Sequence, residues 1–171
     1  MDIIFLHCPS YFDFRNELLV TGAFTDAIPN SAVYEMYPMG LLSMTATLQK
    51  YGFKAGIINI ANRMIQNPNL NIEKFLKNLK ADLFGIDLHW MIHSQGVFAI
   101  ASLLKKVQPN AKIVLGGFTS SYFAKEIMAK FPQIDFILRG DTVEKLIVQL
   151  LNQVQLRSEE HTSELQSPNT I

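Results

Sequence analysis

The chain has 171 residues, of which 49% are hydrophobic and 18% charged, enough apolar material for one domain with a full hydrophobic core. Lysine plus arginine and aspartate plus glutamate number 15 each, so no net charge favours nucleic acid or an anionic membrane surface. The apolar runs fall far short of the roughly 20 residues that a membrane-spanning helix needs. We expect a cytoplasmic protein that binds neither nucleic acid nor membrane.

Cys8 is the single cysteine in the sequence. The chain can therefore form no internal disulfide, no cysteine-rich zinc site and no three-cysteine motif for an iron–sulfur cluster. With no general base evidently paired with it, Cys8 is interpreted as a buried thiol at a strand end. No residue is assigned a catalytic role, and no metal site is predicted.

Short apolar runs alternate with longer segments of helical period, the pattern of repeated βα units. In chain order the pattern predicts strand 3–7, helix 40–51, strand 55–60, helix 72–79, strand 83–88, helix 94–107, strand 112–115, helix 121–130, strand 136–138 and helix 143–154. Five such units predict an α/β, flavodoxin-like (Rossmann-like) fold. Its five-stranded parallel sheet has the order 2-1-3-4-5, with helices on both faces.

A long connection, residues 8–39, separates the first strand from the first helix, where α/β loops are usually short. It is too aromatic for a solvated linker, since it contains Tyr11, Phe12, Phe14, Phe24, Tyr34 and Tyr37. We expect it to lie over the ligand edge of the sheet, with a purely structural flap as the alternative.

Residues 157–171 form a polar run with no periodicity of its own. We expect them to be unstructured, so that the domain comprises residues 1–156. Residues 157–167 also resemble the translation of a sequencing adapter, which suggests an artefactual tail on a truncated reading frame, with a natural disordered tail as the alternative.

Ligands of open α/β sheets bind at the carboxyl ends of the strands, where the strand order reverses. Gly116 and Gly117 follow the fourth strand, and two residues without Cβ let a planar group approach the backbone, although tight βα turns use glycine pairs too. Thr119 and Ser120 add hydroxyls at a helix start, which can bind polar groups.

Asp87-Leu88-His89-Trp90 ends the third strand. An exposed indole there would be costly, so Trp90 packs on a ligand or a partner domain, or else tucks under the next helix. His89 and His93 are spaced like a metal pair but lack a third ligand.

Arg139-Gly140-Asp141, followed by Glu144, ends the fifth strand. Helix capping alone could explain the two acids, whereas Arg139 is the better candidate for a ligand or partner contact.

Four stretches share their order and spacing with a known family across residues 2–151. They are His7-Cys8-Pro9-Ser10, Tyr37-Pro38-Met39-Gly40-Leu41-Leu42, Gly116-Gly117-Phe118-Thr119-Ser120, and Arg139-Gly140-Asp141 with Glu144. Together they resemble the N-terminal cobalamin-binding domain of cobalamin-dependent radical S-adenosylmethionine (SAM) proteins.

The resemblance implies that the domain holds cobalamin, with the nucleotide tail near Gly116 and Gly117 and the corrin across the strand ends. The cofactor-binding residues that it implies are Pro9, Ser10, Pro38, Gly40, Leu88, His89, Trp90, Gly116, Gly117, Phe118, Thr119, Ser120, Arg139, Gly140 and Asp141. It also implies a following radical SAM barrel, absent from this chain, that holds S-adenosylmethionine and an iron–sulfur cluster. The intact enzyme would transfer methyl groups or rearrange a substrate, and this chain alone would bind without catalysing.

One departure concerns the cobalt ligand. Cobalamin domains of methionine synthase and the mutases carry a DxHxxG motif after the first strand, whose histidine binds cobalt. Asp87-Leu88-His89 is similar to its start, but Ile92 replaces the glycine and the segment follows the third strand, so His89 is not assigned as an axial ligand.

Two other functions occur on the same fold. A receiver-like signalling module needs paired acids after the first strand and a lysine after the fifth, where this chain has His7-Cys8-Pro9 and Arg139-Gly140-Asp141. A flavin- or nucleotide-binding domain of the dinucleotide type needs GxGxxG after a strand, and no such motif occurs here.

Overall fold

A computed structural model describes residues 1–16 and 39–165 of the chain. Its five parallel strands form one sheet of order β2-β1-β3-β4-β5, as the sequence predicted. The strands are β1 (Ile3–His7), β2 (Ala55–Asn59), β3 (Leu83–Asp87), β4 (Lys112–Gly116) and β5 (Phe136–Ile137). Their apolar, β-branched sequences suit strands that are covered on both faces.

Seven α-helices connect and cover the strands in the described part of the chain. They are α1 (Met39–Lys50), α2 (Ile60–Gln66), α3 (Ile72–Asn78), α4 (Ser94–Val107), α5 (Phe118–Tyr122), α6 (Ala124–Lys130) and α7 (Glu144–Leu165), with a 3-10 turn at Met91–His93 before α4.

Two helical segments differ from the sequence prediction. The helix α2 was not predicted, because its first residues continue the apolar run of β2. Asn59 starts it by accepting a hydrogen bond from the Asn62 N–H with its side-chain oxygen at 2.8 Å. The single helix predicted at 121–130 is two helices, α5 and α6, which meet at Phe123, where the backbone leaves the helical conformation.

The helices α2, α3, α4 and α6 cover one face of the sheet, which we call the packed face. Alternate strand residues such as Leu6, Phe84 and Leu115 point into it and meet Ile100 and Leu104 of α4, all of them fully buried. This face is filled by the protein's own side chains.

The helices α1 and α7 cover the other face. A smaller buried cluster lies there, with Ile3 and Phe5 from β1, Leu48 from α1, and Ile147 and Leu151 from α7. We call this the cavity face, for the reason given in the next subsection.

The segment that leaves β1 turns toward the packed face. The Gly96 N–H at the start of α4 donates to the Ser10 carbonyl at 3.3 Å, and the Gln95 side chain bonds both backbone groups of Phe12. Arg15 donates to the carbonyls of Pro68 and Leu70 at 2.9 Å each. Residues 8–16 therefore lie beside the start of α4 and do not cover the cavity face, whereas the rest of the connection, residues 17–38, lies outside the described residues.

Helix α7 continues to Leu165, although no regular structure was predicted from residue 157 onward. The backbone of residues 157–165 is thus helical, and the domain boundary at residue 156 stays a prediction. None of the helices in the described ranges has the length and apolar character required to span a bilayer.

Candidate functional site

A cavity of about 500 Å³ lies on the cavity face, between the sheet and the helices α1 and α7. Its walls are mainly apolar, and it extends to the carboxyl ends of β3 and β4, the edge at which open α/β sheets bind ligands. Five glycines contribute to the lining: Gly40, Gly85, Gly116, Gly117 and Gly140.

The floor of the cavity consists of two rows of residues across the sheet. Parallel register places Phe5 beside Gly85 and Gly85 beside Val114, and all three line the cavity. A side chain at Gly85 would collide with the Phe5 ring, so the glycine lets this ring lie against the strand.

The second row lies at the strand ends, where His7, Asp87 and Gly116 are neighbours on β1, β3 and β4. Gly116 is paired with Asp87, and a Cβ built on Gly116 would meet no heavy atom of residues 1–16 and 39–165 within 4 Å. No positive φ requires a glycine at this position. The missing side chain therefore enlarges the cavity and is not needed for the backbone conformation.

The adjacent Gly117 has a different role. Its φ is +108°, and a Cβ there would lie 2.7–2.8 Å from backbone atoms of Leu88 and His89. Only glycine tolerates both constraints, because the left-handed region and the close backbone approach exclude a side chain. Gly117 thus fixes the turn from β4 into α5.

A buried polar pair lies at the end of the floor. The His7 Nδ1 atom is 3.0 and 3.1 Å from the two carboxylate oxygens of Asp87. The side chains are only 3% and 12% exposed, so the contact is largely removed from solvent. The His93 ring is 5.5 Å from that of His7, centroid to centroid.

The mouth of the cavity carries large apolar side chains that are exposed. Met39, Trp90 and Phe118 have 73%, 54% and 63% of their surfaces accessible to solvent. The His89 ring packs edge-on against Trp90, with centroids 4.9 Å apart. Exposed aromatic groups clustered around a cavity are typical of surfaces that bind a ligand or a partner.

Glu144 joins the two helices of the cavity face near this mouth. Its Oε1 atom accepts a hydrogen bond from the Ser43 hydroxyl at 2.7 Å, which links the start of α7 to α1. The neighbouring Asp141 lines the cavity and is exposed.

About half of the predicted cofactor-binding residues line this cavity. Those on its walls are Gly40, His89, Trp90, Gly116, Gly117, Phe118, Gly140 and Asp141. Pro38 lies outside the described residues.

Six other predicted cofactor-binding residues do not line the cavity. Pro9 and Ser10 lie against Gly96 at the start of α4, and Leu88 is buried in the core of the packed face.

The predicted hydroxyl and guanidinium groups are already bonded to backbone carbonyls. The Thr119 hydroxyl donates to His89 at 2.8 Å, the Ser120 hydroxyl to Gly117 at 2.9 Å, and Arg139 Nε to Ser121 at 3.3 Å. These hydrogen bonds hold the βα turns in shape. Direct contact of Thr119, Ser120 and Arg139 with a ligand stays a prediction.

The sequence prediction missed the floor of the cavity. Phe5, Gly85 and Val114 were treated only as strand residues and Ile147 only as part of a helix, whereas His7 was placed in a segment at the ligand edge without a role of its own. A glycine inside an apolar strand signals a close approach of another group, so Gly85 was the available signal. Within residues 1–16 and 39–165, no three His, Cys, Asp or Glu residues cluster as a metal site would require.

Comparison with protein families gives a match to the model described as "B12 binding domain", over residues 26–147. The matched region includes the strands β2 to β5 and the turns after β3, β4 and β5 that line the cavity.

One curated relative is the anaerobic magnesium-protoporphyrin IX monomethyl ester cyclase of Synechocystis sp. (strain ATCC 27184 / PCC 6803 / Kazusa). It is 44% identical over 59 residues, which are 33% of this chain and 12% of the cyclase. The chain is thus similar to a small part of a much longer protein.

Two solved structures of the radical S-adenosylmethionine methyltransferase TsrM from Kitasatospora setae have a similar fold. One, with tryptophan substrate and a SAM analog bound, matches with a TM-score of 0.61 and 13% identity, over 91% of this chain and 26% of TsrM. The other, with cobalamin and a [4Fe-4S] cluster bound, matches with a TM-score of 0.59 and 14% identity, over 90% and 26%. This chain therefore spans about a quarter of TsrM.

Proposed function

The chain belongs to the B12-binding domain family, and we propose that it holds cobalamin at the cavity beside Gly116, as the cofactor domain of a radical SAM enzyme. The observation that carries the proposal is the open space over Gly116. This strand glycine needs no special backbone conformation, yet none of the described residues occupies the space of its missing side chain.

The lining of the cavity fits a flat, largely apolar group. The Phe5 ring covers the side-chain position of Gly85, whereas Gly116 leaves its own position open, and the cavity volume of about 500 Å³ is in the range of small-molecule sites. On this proposal the nucleotide tail of cobalamin would enter over Gly116, and the exposed Trp90 and Phe118 would contact the corrin. Cobalamin would supply the cobalt chemistry of methyl transfer or rearrangement.

The residues of this chain would bind and orient the cofactor. Thr119 anchors the backbone of His89, while Gly117 fixes the turn that presents Phe118. Rigid βα turns that carry ligand contacts are the usual arrangement at this edge of the fold. The apolar walls would also exclude water from the buried part of the ligand.

The rest of the enzyme is also part of the proposal. Since the matched residues cover 12% of the cyclase and 26% of TsrM, we infer a C-terminal radical SAM barrel in the intact protein. That barrel would hold the iron–sulfur cluster and S-adenosylmethionine. The exposed Met39, Trp90 and Phe118 support a partner that packs over the cavity mouth.

A cytoplasmic location is proposed with it. The single cysteine, Cys8, is buried, so the fold does not depend on the oxidising environment in which disulfides form.

Absorbance spectroscopy tests the cofactor assignment. The full chain is mixed with hydroxocobalamin, desalted and scanned, and a parallel sample receives flavin mononucleotide. We expect corrin absorbance to co-elute with the protein and flavin absorbance to be lost on desalting. Retention of flavin without corrin would contradict the proposal and favour the flavin-binding alternative.

A further inference from the structure

One buried carboxylate distinguishes the floor of the cavity from its other polar groups. Asp87 is 12% exposed and lines a mainly apolar space, whereas His89 and Asp141 are exposed at the mouth and Glu144 already accepts from Ser43. Moving a carboxylate out of water costs free energy unless the carboxylate is hydrogen-bonded. Asp87 therefore needs donors on this floor.

His7 supplies one donor, shared between two oxygens. Its Nδ1 atom is 3.0 Å from Oδ1 and 3.1 Å from Oδ2, so a single N–H faces both. An ionised carboxylate has about four lone-pair positions. Within the two described stretches of chain, His7 is the hydrogen-bond partner of this carboxylate, and most of its accepting capacity is left over.

The sheet leaves space for a second donor beside this carboxylate. In the register of β3 and β4, Asp87 pairs with Gly116, and no heavy atom in the described part of the chain lies within 4 Å of a Cβ placed on Gly116. Both residues line the cavity. A ligand that enters over Gly116 thus comes next to the carboxylate.

We propose that Asp87 accepts a hydrogen bond from an O–H or N–H group of the ligand in this cavity, and that His7 is a positioning residue that keeps the carboxylate turned toward it. This inference rests on the proposed function, since the ligand is taken to be cobalamin. Two parts of cobalamin have suitable donors: the ribose hydroxyl of the nucleotide and the carboxamides of the corrin.

The variant Asp87→Asn tests the contact with little change in shape. Its amide oxygen can still accept from His7, but its NH₂ group would face the ligand's donor. Because hydrogen bonds to charged groups are among the stronger ones, we expect hydroxocobalamin to bind about 10- to 100-fold more weakly. Asp82→Asn is the matched control, since Asp82 is exposed just before the opposite end of β3.

Cobinamide, which lacks the nucleotide, separates the two donor sources. If the partner is the ribose hydroxyl, Asp87→Asn weakens hydroxocobalamin binding and leaves cobinamide binding unchanged. If the partner is a carboxamide, the variant weakens both. An affinity equal to that of the original chain for both probes, or an equal loss in Asp82→Asn, would overturn the proposal.

His7→Gln tests the positioning role. The glutamine amide can donate to Asp87, so we expect His7→Gln to bind hydroxocobalamin nearly as tightly as the original chain, whereas His7→Ala should bind it about as weakly as Asp87→Asn. A merely structural histidine would lower stability in both variants while the folded His7→Ala protein kept the affinity of the original chain, and that result would overturn the role of His7.

Carboxyl ¹³C NMR of the original chain covers the case in which Asp87→Asn does not fold. With ¹³C-labelled aspartate, the Asp87 resonance should shift when hydroxocobalamin is added, while that of Asp82 should not. An unshifted Asp87 resonance in a sample that binds hydroxocobalamin would overturn this inference alone. Failure of the original chain to bind hydroxocobalamin would overturn the proposed function and this inference with it.

Discussion

The two faces of the sheet share the same strands but are filled in different ways. On the packed face, four helices meet the strands in a continuous core that includes Phe84, Ile100 and Leu104. On the cavity face, α1 and α7 leave a space of about 500 Å³, which includes the open side-chain position of Gly116. Within the described residues, the packed face is filled by the protein's own side chains, whereas the cavity face keeps a space that we propose cobalamin occupies.

Truncating a buried side chain to alanine should give the largest loss of stability, and the loss should differ between the two faces of the sheet. Ile100→Ala removes a fully buried side chain from the packed face, and we expect it to lower the free energy of unfolding by about 3–5 kcal/mol. Ile147→Ala, at an equally buried position that borders the cavity, should cost less, about 2–3 kcal/mol, because part of its surroundings is already empty.

Urea denaturation with and without hydroxocobalamin measures this difference. The ligand should raise the stability of the original chain and of Ile100→Ala by similar amounts, but that of Ile147→Ala by less. Equal losses in both variants, with equal ligand effects, would remove the distinction between the faces.

Gly117→Ala tests the turn that frames the cavity mouth. The φ of +108° and the close backbone of Leu88 and His89 both oppose a Cβ, so we expect a loss of stability of about 2–3 kcal/mol. Thermal unfolding followed by circular dichroism measures it. Stability like that of the original chain would show that this turn relaxes freely and does not hold the mouth rigidly.

The pH dependence of stability tests the hydrogen bonds of Asp135, which lies just before the edge strand β5. Burial alone would raise the pKa of Asp135, but hydrogen bonds from Lys105 Nζ, the Ile113 N–H and Lys112 Nζ outweigh it and hold the pKa below its usual value. A carboxyl with a lowered folded pKa stabilises the fold above its unfolded pKa of about 3.9. This stabilisation is lost as the pH falls through the folded pKa.

Asp135→Asn should therefore lower stability at pH 7 by about 1 kcal/mol and weaken the decline on acidification below about pH 4. Hydroxocobalamin binding should be unchanged, because Asp135 ties α4 to the sheet away from the cavity. Urea denaturation between pH 3 and 7 provides the measurement. An unaltered acid profile would contradict the role assigned to this carboxylate.

Local sequence pattern was sufficient for the sheet and for the rim of the site. Period and turn residues placed all five strands, and the glycine and aromatic residues after β3 and β4 pointed to His89, Trp90, Gly116 and Phe118. The floor was different, since Phe5, Gly85 and Val114 become one surface only through the register of three strands. Such register is a long-range property that no single segment contains.

The sequence did not reveal helix α2 or the packing of the Pro9-Ser10 segment, for related reasons, and contact of Pro9 and Ser10 with cobalamin stays a prediction. The apolar start of α2 continues the strand pattern of β2, and only the Asn59 cap marks the change. Pro9 and Ser10 follow a strand that ends at the ligand edge, but their backbone is held against Gly96 of α4, a contact between residues far apart in sequence.

Gly116→Val tests most directly the claim that the space on the cavity face is reserved for cobalamin. Valine suits a strand, and a Cβ at this position meets no heavy atom of the described residues within 4 Å, so we expect the stability to be unchanged or raised by about 0.5–1 kcal/mol. The same side chain should fill the space over the floor and weaken hydroxocobalamin binding at least 100-fold, measured by corrin absorbance after desalting and by titration. Gly56→Val, on β2 and facing only the flexible end of Met1, is the matched control and should bind as the original chain does. Full binding by a folded Gly116→Val variant would contradict the account.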